Sequence, residues 1–421
     1  MEVVRRKINN IETFFVKTTK FKTISIQIVF ANQFTKENAS SRALLARVLG
    51  NSSKKYNTKK KAVEKSCDLY NAEVSVGYTR YYRTSLISFT LDVVNEKNLM
   101  NAKNLTKKAI DFLLDTIFNP YVDNHEFSQK EFNEEKRLLK ESMQKVYNNK
   151  SRFAFRRLIE EMCKDEIIGV QANGSIADLE KITPELLFEE YLSMMNKDEI
   201  SIYVVGDIEE ISILSQLQQA FKQMNHEKLN LEVVNDGNYE IKSIREIKEI
   251  QKIKQAKLVM GYRLAINSLD PLYPAFLVFN SMFGGLFSSN LFRVVREKHG
   301  LAYDISSHDI ANNKLFMITA GIDSDKYQQT IKIITEELNK YINGDIDKEL
   351  FMIAKESLLN ELQETEDGPY NLIAHLQNNY FTKTEKTIAT EIEEIANVTV
   401  SNIKQVALGI KLDTIYLLSG R

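Results

Sequence analysis

The side chains that could hold a metal are few in this 421-residue chain, and their spacing does not suit the task. A zinc site draws cysteine, histidine and carboxylate ligands into one coordination sphere. Five histidines and two cysteines are present. Cys67 and Cys163 lie far apart with no CxxC spacing, which predicts reduced, half-buried thiols and neither a disulfide nor a metal site. His299 and His308 are near each other in sequence, yet neither has a second ligand at helical or strand spacing. His299 reads as a residue that complements the dipole at a helix end, and His308 as a solvent-facing residue at a strand end.

Bulk properties narrow the function classes. Formal net charge is −1, so no bulk attraction to nucleic acid or to an anionic membrane is expected. Hydrophobic residues make up 43% and charged residues 27%, the balance of a globular protein with a sizeable core. No apolar run approaches the roughly 18 residues that cross a bilayer. The opening MEVVRRKINN mixes charge and polarity and lacks the apolar centre of a secretory signal. These features, with the cysteine usage, point to a cytoplasmic address.

The elements repeat. A strand-like run at 24–30 is followed by a helix over Ser41–Leu49, with Leu44, Leu45, Val48 and Leu49 on one face. A second such run at 256–262 is followed by a helix over Pro271–Phe283, entered by Asp270 as N-cap, with Gly284 at a left-handed C-cap. A helix and strand pair follow in each half, over 60–94 and 288–323. Two long amphipathic helices come next, over 104–117 and 129–147 in the first half, and over 326–342 and 348–364 in the second. Thr183-Pro184 begins a helix leading to the strand 199–205, and Thr399 or Ser401 begins one leading to the strand 413–418. The polar stretch 222–252, with Asn-Asp-Gly at 235–237, reads as a linker. The expected architecture is α+β, with helices on a mostly antiparallel sheet in each half. Its domains are 1–221 and 253–421.

The most informative segment is GYRLAINSLDPLYPAFLVFNSMFGGLFSSNLFRVVREKHGLAYDISS, residues 261–307. Gly284-Gly285 permits positive φ and close backbone approach. Ser288 or Ser289 can cap the helix carrying Leu291, Phe292, Val294 and Val295, which ends at Gly300. Arg296 falls in its last turns, where a cation suits the dipole, and Tyr303 lies on the next strand.

This segment resembles the second-domain signature of the insulinase (pitrilysin) family of zinc metallopeptidases. The resemblance runs along the whole chain in element order. It implies two homologous halves, each a pair of related α+β units, facing one another like a clam shell around a peptide chamber. It also implies that Arg296 and Tyr303 hold the substrate backbone and the developing oxyanion, a task for which a guanidinium and a phenol are suitable donors.

Active members of that family carry His-x-x-Glu-His on a helix of the first half, with two histidines binding zinc and the glutamate as general base. Here the histidine positions fall on Ala43 and Arg47 and the base position on Ala46. The downstream glutamate position falls on Ser142 or, one residue earlier, on Glu141. The first histidine in the chain, His125, comes well after this helix. Arg47 stays charged, cannot ligate zinc and would repel it. The expectation is therefore a chain without zinc and without peptidase activity of its own. The resemblance implies a partner subunit that supplies Arg296 and Tyr303, while a zinc-motif homologue supplies the metal. That pairing is a heterodimer, with a homodimer as the other arrangement. The alternative is a scaffold or peptide-binding protein with no catalytic partner.

Overall fold

Runs of β-branched and aromatic residues become the strands of two separate sheets. A computed structural model describes residues 2–224, 229–234, 237 and 239–420. The chain divides into two compact units, residues 1–143, 171–232 and 366–381 in unit 1, and residues 144–170, 233–365 and 382–421 in unit 2.

Unit 1 is built on β1 (Glu2–Ile8), β2 (Ile11–Lys17), β3 (Thr23–Gln33), β4 (Glu73–Tyr81), β5 (Thr84–Val94) and β8 (Glu199–Gly206), with a two-stranded ribbon of β6 (Val122–Asp123) and β7 (Glu126–Phe127). The main sheet has the order β1-β2-β8-β3-β5-β4. Its pairs are antiparallel except β2 with β8. Alternate residues of β3, from Ile24 through Ile26 and Ile28 to Phe30, point into one core. Leu44 and Leu45 of the helix Lys36–Leu49, Ile110 and Leu113 of Leu105–Phe118, and Leu187 and Met194 of Pro184–Lys197 complete that core. Gln27, on the opposite face of β3, meets Gln377 of the helix Pro369–Thr382.

Unit 2 has β9 (Arg245–Ile250), β10 (Ala256–Leu264), β11 (Ala302–Ile310), β12 (Leu315–Ile322) and β13 (Ile410–Ser419), in the order β11-β12-β10-β13-β9. Only the pairing of β9 with β13 is parallel. One face carries the helices Tyr273–Asn280, Tyr327–Asn343, Lys348–Glu364 and Val400–Leu408. The other face receives the helix Lys150–Met162, whose Ala154, Leu158 and Met162 pack on Val259, Met317 and Tyr416. Burial of each Leu, Met or Val side chain in this contact contributes about 1.5–3 kcal/mol of transfer free energy.

Among the described residues each unit holds one principal sheet with helices packed on it, as the two-half repeat implies. The 222–252 stretch is not linker throughout. Residues 245–250 read REIKEI, a period-two pattern that turns Ile247 toward unit 2's core, and they pair with Thr414–Ser419. Asn235 and Asp236 lie outside the described residues. No helix is long and apolar enough to cross a membrane among the described residues.

Candidate functional site

In unit 1, Thr35 begins the helix Lys36–Leu49 through a reciprocal capping box with Asn38. Ala43 and Ala46 are buried, at 2% and 1% exposure, in the apolar core. Arg47 donates from Nε to Glu135 Oε2 at 3.1 Å. Glu135 is itself buried and takes a second cation, Lys59, at 3.1 Å. Ser142 lies on the same helix as Glu135, Gln129–Asn148, and donates its hydroxyl to the Leu139 carbonyl at 2.8 Å. Glu141 is paired instead with Arg137 at 2.6 Å. The helix face that the resemblance assigns to a metal therefore carries methyl groups and a guanidinium neutralised by a carboxylate. No group of three His, Cys, Asp or Glu suited to a metal occurs among the described residues.

In unit 2, Asp270 acts one step earlier than expected. Its Oδ1 accepts from Leu272 N at 2.8 Å, and the helix begins at Tyr273 with Pro274 in its first turn. The helix does not end in a left-handed glycine. It widens into a π-helical turn over Ser281–Gly285, and neither Gly284 nor Gly285 has positive φ. What Gly284 provides is proximity: a Cβ there would lie 2.7 Å from the Ser307 backbone N of β11. Ser307 in turn donates to Asn280 Oδ1 at 2.6 Å, which ties the turn to the strand. Ser289 stands immediately before the first helical residue, Asn290, but its buried hydroxyl has no hydrogen-bond partner among the described residues.

Arg296 lies in a π-helical segment, Phe292–Lys298, and is exposed. Its guanidinium sits 4.6 Å from the centre of the Phe292 ring. His299 closes this segment, and Gly300 turns the chain at φ +58°. Tyr303 then occupies a β-bulge: Ala302 faces Ile322 and Asp304 faces Gly321, leaving Tyr303 as the extra residue. A bulge re-aims a side chain, and Tyr303 is 60% exposed. Its hydroxyl donates to Asp323 Oδ1 at 3.1 Å, and that carboxylate raises the phenol above its ordinary pKa. Arg296 and Tyr303 thus flank one turn of unit 2, both open to solvent, each resting on a different neighbour.

Residues 181–358 match the family model described as the peptidase M16 inactive domain. A Bacillus subtilis protein named "Probable inactive metalloprotease YmfF" is 34% identical over 418 residues, covering 99% of this chain and 97% of the relative. The chain belongs to peptidase family M16. A conserved protein from Enterococcus faecalis V583 shares the fold at a TM-score of 0.94 and 25% identity, with 100% of this chain and 99% of that one covered. An M16 inactive domain structure from Pseudomonas fluorescens superposes at a TM-score of 0.81 with 16% identity over 100% and 98% of the two chains.

Three features of this M16 chain escaped the sequence reading. Arg42 is fully buried and donates to Asp198 Oδ2 at 2.6 Å, with Glu190 at 3.5 Å. Its signal was present: Arg42 shares the helix stripe of Leu45 and Leu49. Glu135 lies in the second turn of Gln129–Asn148, and its burial against Arg47 and Lys59 depends on partners far along the chain. His308 does not sit in solvent at a strand end. It lies within β11, with Nε2 2.9 Å from Thr319 Oγ1 and its ring against Phe155, and burial lowers its pKa.

Proposed function

We propose that this chain is the zinc-free subunit of a two-chain M16 peptidase and supplies a clamp for the peptide backbone. The observation that carries this reading is the pairing of opposites within one sequence: Arg47–Glu135 stands where a metal would need ligands, while Arg296 and Tyr303 remain exposed at a braced corner. Zinc, when bound in a partner, supplies an activated water. The side chains of this chain bind and orient. Arg296 holds a peptide carbonyl, and Tyr303 donates its hydroxyl to the oxygen on which charge develops. To do so Tyr303 must exchange Asp323 for the substrate oxygen. That resting bond favours the second reading, a peptide-binding scaffold whose phenol never leaves Asp323. The free thiols of Cys67 and Cys163 fit the cytoplasmic address.

The test is reconstitution. This chain and a zinc-motif M16 homologue from the same cell are purified separately and assayed on a quenched-fluorescence peptide library, alone and mixed. The mixture is expected to cleave peptides and to elute as one complex, with neither chain active alone. A stable complex without cleavage supports the scaffold reading, and full activity of the homologue alone removes the need for this chain.

A further inference from the structure

A cleft of about 380 Å³ opens in unit 2 between the start of the helix Lys150–Met162 and strands β10, β11 and β12. That volume lies in the range of small-ligand pockets, roughly 300–1,000 Å³. Phe155 and Val259 give it apolar walls, and the β10 and β12 backbone at Leu258 and Ala320 forms part of its floor. Arg152, Lys257, Asp304, His308 and Thr319 supply its polar groups.

The polar groups are arranged. Lys257 is 14% exposed, donates to Gln255 Oε1 at 2.6 Å and lies 3.7 Å from Asp304. Gly321 makes room for this pair, since a Cβ there would lie 2.1 Å from Asp304 Oδ1 and 2.9 Å from Lys257 Nζ. His308 sits in the cleft with Nε2 2.9 Å from Thr319 Oγ1, and burial lowers its pKa, so it offers a hydrogen-bonding edge there. Two cations face one carboxylate, and the first turn of the helix, where Ser151 and Arg152 sit, adds positive potential.

The repeat provides an internal comparison. The corresponding cleft of unit 1, about 290 Å³ between β3, β4, β5 and Gln377, is lined by Gln27, Ser75, Thr79, Ser88 and Thr90 among others, with no Lys, Arg, His, Asp or Glu. The fold therefore does not require charge at this place.

We propose that the unit 2 cleft binds a carboxylate joined to an apolar body, with the carboxylate on Lys257 and Arg152 and the body against Phe155 and Val259. The C-terminal residue of a peptide and a free medium-chain carboxylic acid share this chemistry.

The test is calorimetric titration of this chain alone, with no peptidase readout, so it stands apart from the clamp. The probes are N-acetyl-leucyl-phenylalanine, its C-terminal amide, and octanoate. The free acid is expected to bind at least about tenfold more tightly than the amide, the usual margin of a charge-assisted hydrogen bond. Lys257→Met should weaken the acid by a similar factor, and Lys257→Arg should keep it within a few-fold. Ser151→Phe, at an exposed lining position, should block binding by filling the mouth. Circular dichroism and melting curves confirm that each variant folds. Tighter binding of the dipeptide than of octanoate assigns a peptide terminus, and the reverse assigns a free acid. Equal affinity for acid and amide, unchanged affinity in Ser151→Phe, or no binding of either acid up to about 10 mM overturns the proposal.

Discussion

If this chain is the clamp subunit proposed above, Tyr303→Phe in the reconstituted pair is expected to lower turnover by roughly two to three powers of ten, the usual cost of one lost oxyanion donor. The substitution removes a hydroxyl and leaves the ring at the bulge, and Tyr303 is exposed, so the fold loses only the single bond to Asp323. A loss confined to turnover, with peptide affinity unchanged, is the signature of an interaction made only in the transition state. Arg296→Ala is a poorer probe, since it also removes the cation from the face of Phe292. Arg296→Lys keeps the charge but not the planar fork and should fall between wild type and Tyr303→Phe. Pairing is checked by size-exclusion chromatography, because a variant that fails to assemble would also be inactive. Wild-type rates for both Tyr303→Phe and Arg296→Lys in an intact complex refute the clamp.

The second large effect concerns stability. Arg42 and Asp198 are both fully buried, 2.6 Å apart. Burial works against the Arg42 charge, but Asp198 and Glu190 outweigh it and hold the guanidinium above its ordinary pKa. Asp198 also accepts from Asn32 Nδ2 at 2.7 Å, so it joins β3, the 36–49 helix and the end of the 184–197 helix. Asp198→Ala strands a buried cation whose remaining carboxylate, Glu190, is 3.5 Å away. Breaking such a pair costs about 3–5 kcal/mol, which corresponds to a fall of roughly 6–20 °C in the unfolding midpoint of a unit this size. Replacing both partners together, Arg42→Met with Asp198→Asn, should cost much less, because no unpaired buried charge is left. A midpoint shift below about 2 °C in Asp198→Ala, under one kcal/mol on the same scale, would show that the core relaxes around the lone guanidinium.

What was legible in the sequence was local. The amphipathic helices expected at 129–147 and 348–364 are found at Gln129–Asn148 and Lys348–Glu364. Thr183 and Thr399 cap their helices through side-chain oxygens accepting from Leu186 N and Asn402 N. The strand starting points of the repeat fall inside β3 and β10. Each of these is set by period, cap or turn chemistry within a few residues. What was missed depends on partners far along the chain. The helix Lys150–Met162 acquires its core from Val259, Met317 and Tyr416. β9 reads as polar until β13 lies beside it. The wide π turn at Ser281–Gly285 makes sense only once Ser307 is seen pressed against Gly284. At the candidate site, the residue types at 43, 46, 47, 296 and 303 were readable, whereas the Arg47–Glu135 pair and the bulge that exposes Tyr303 required the fold.

The central claim, that the first-half helix has exchanged a metal site for an ion pair, is tested most directly by metal content. The purified chain is incubated with excess zinc, dialysed and measured by elemental analysis. With Ala43 and Ala46 in the core and Glu135 taken by Arg47 and Lys59, the expected content is far below one zinc per chain. About one equivalent retained after dialysis, and lost in Glu135→Gln, would contradict the account, because zinc held that firmly needs about four Cys, His or carboxylate ligands.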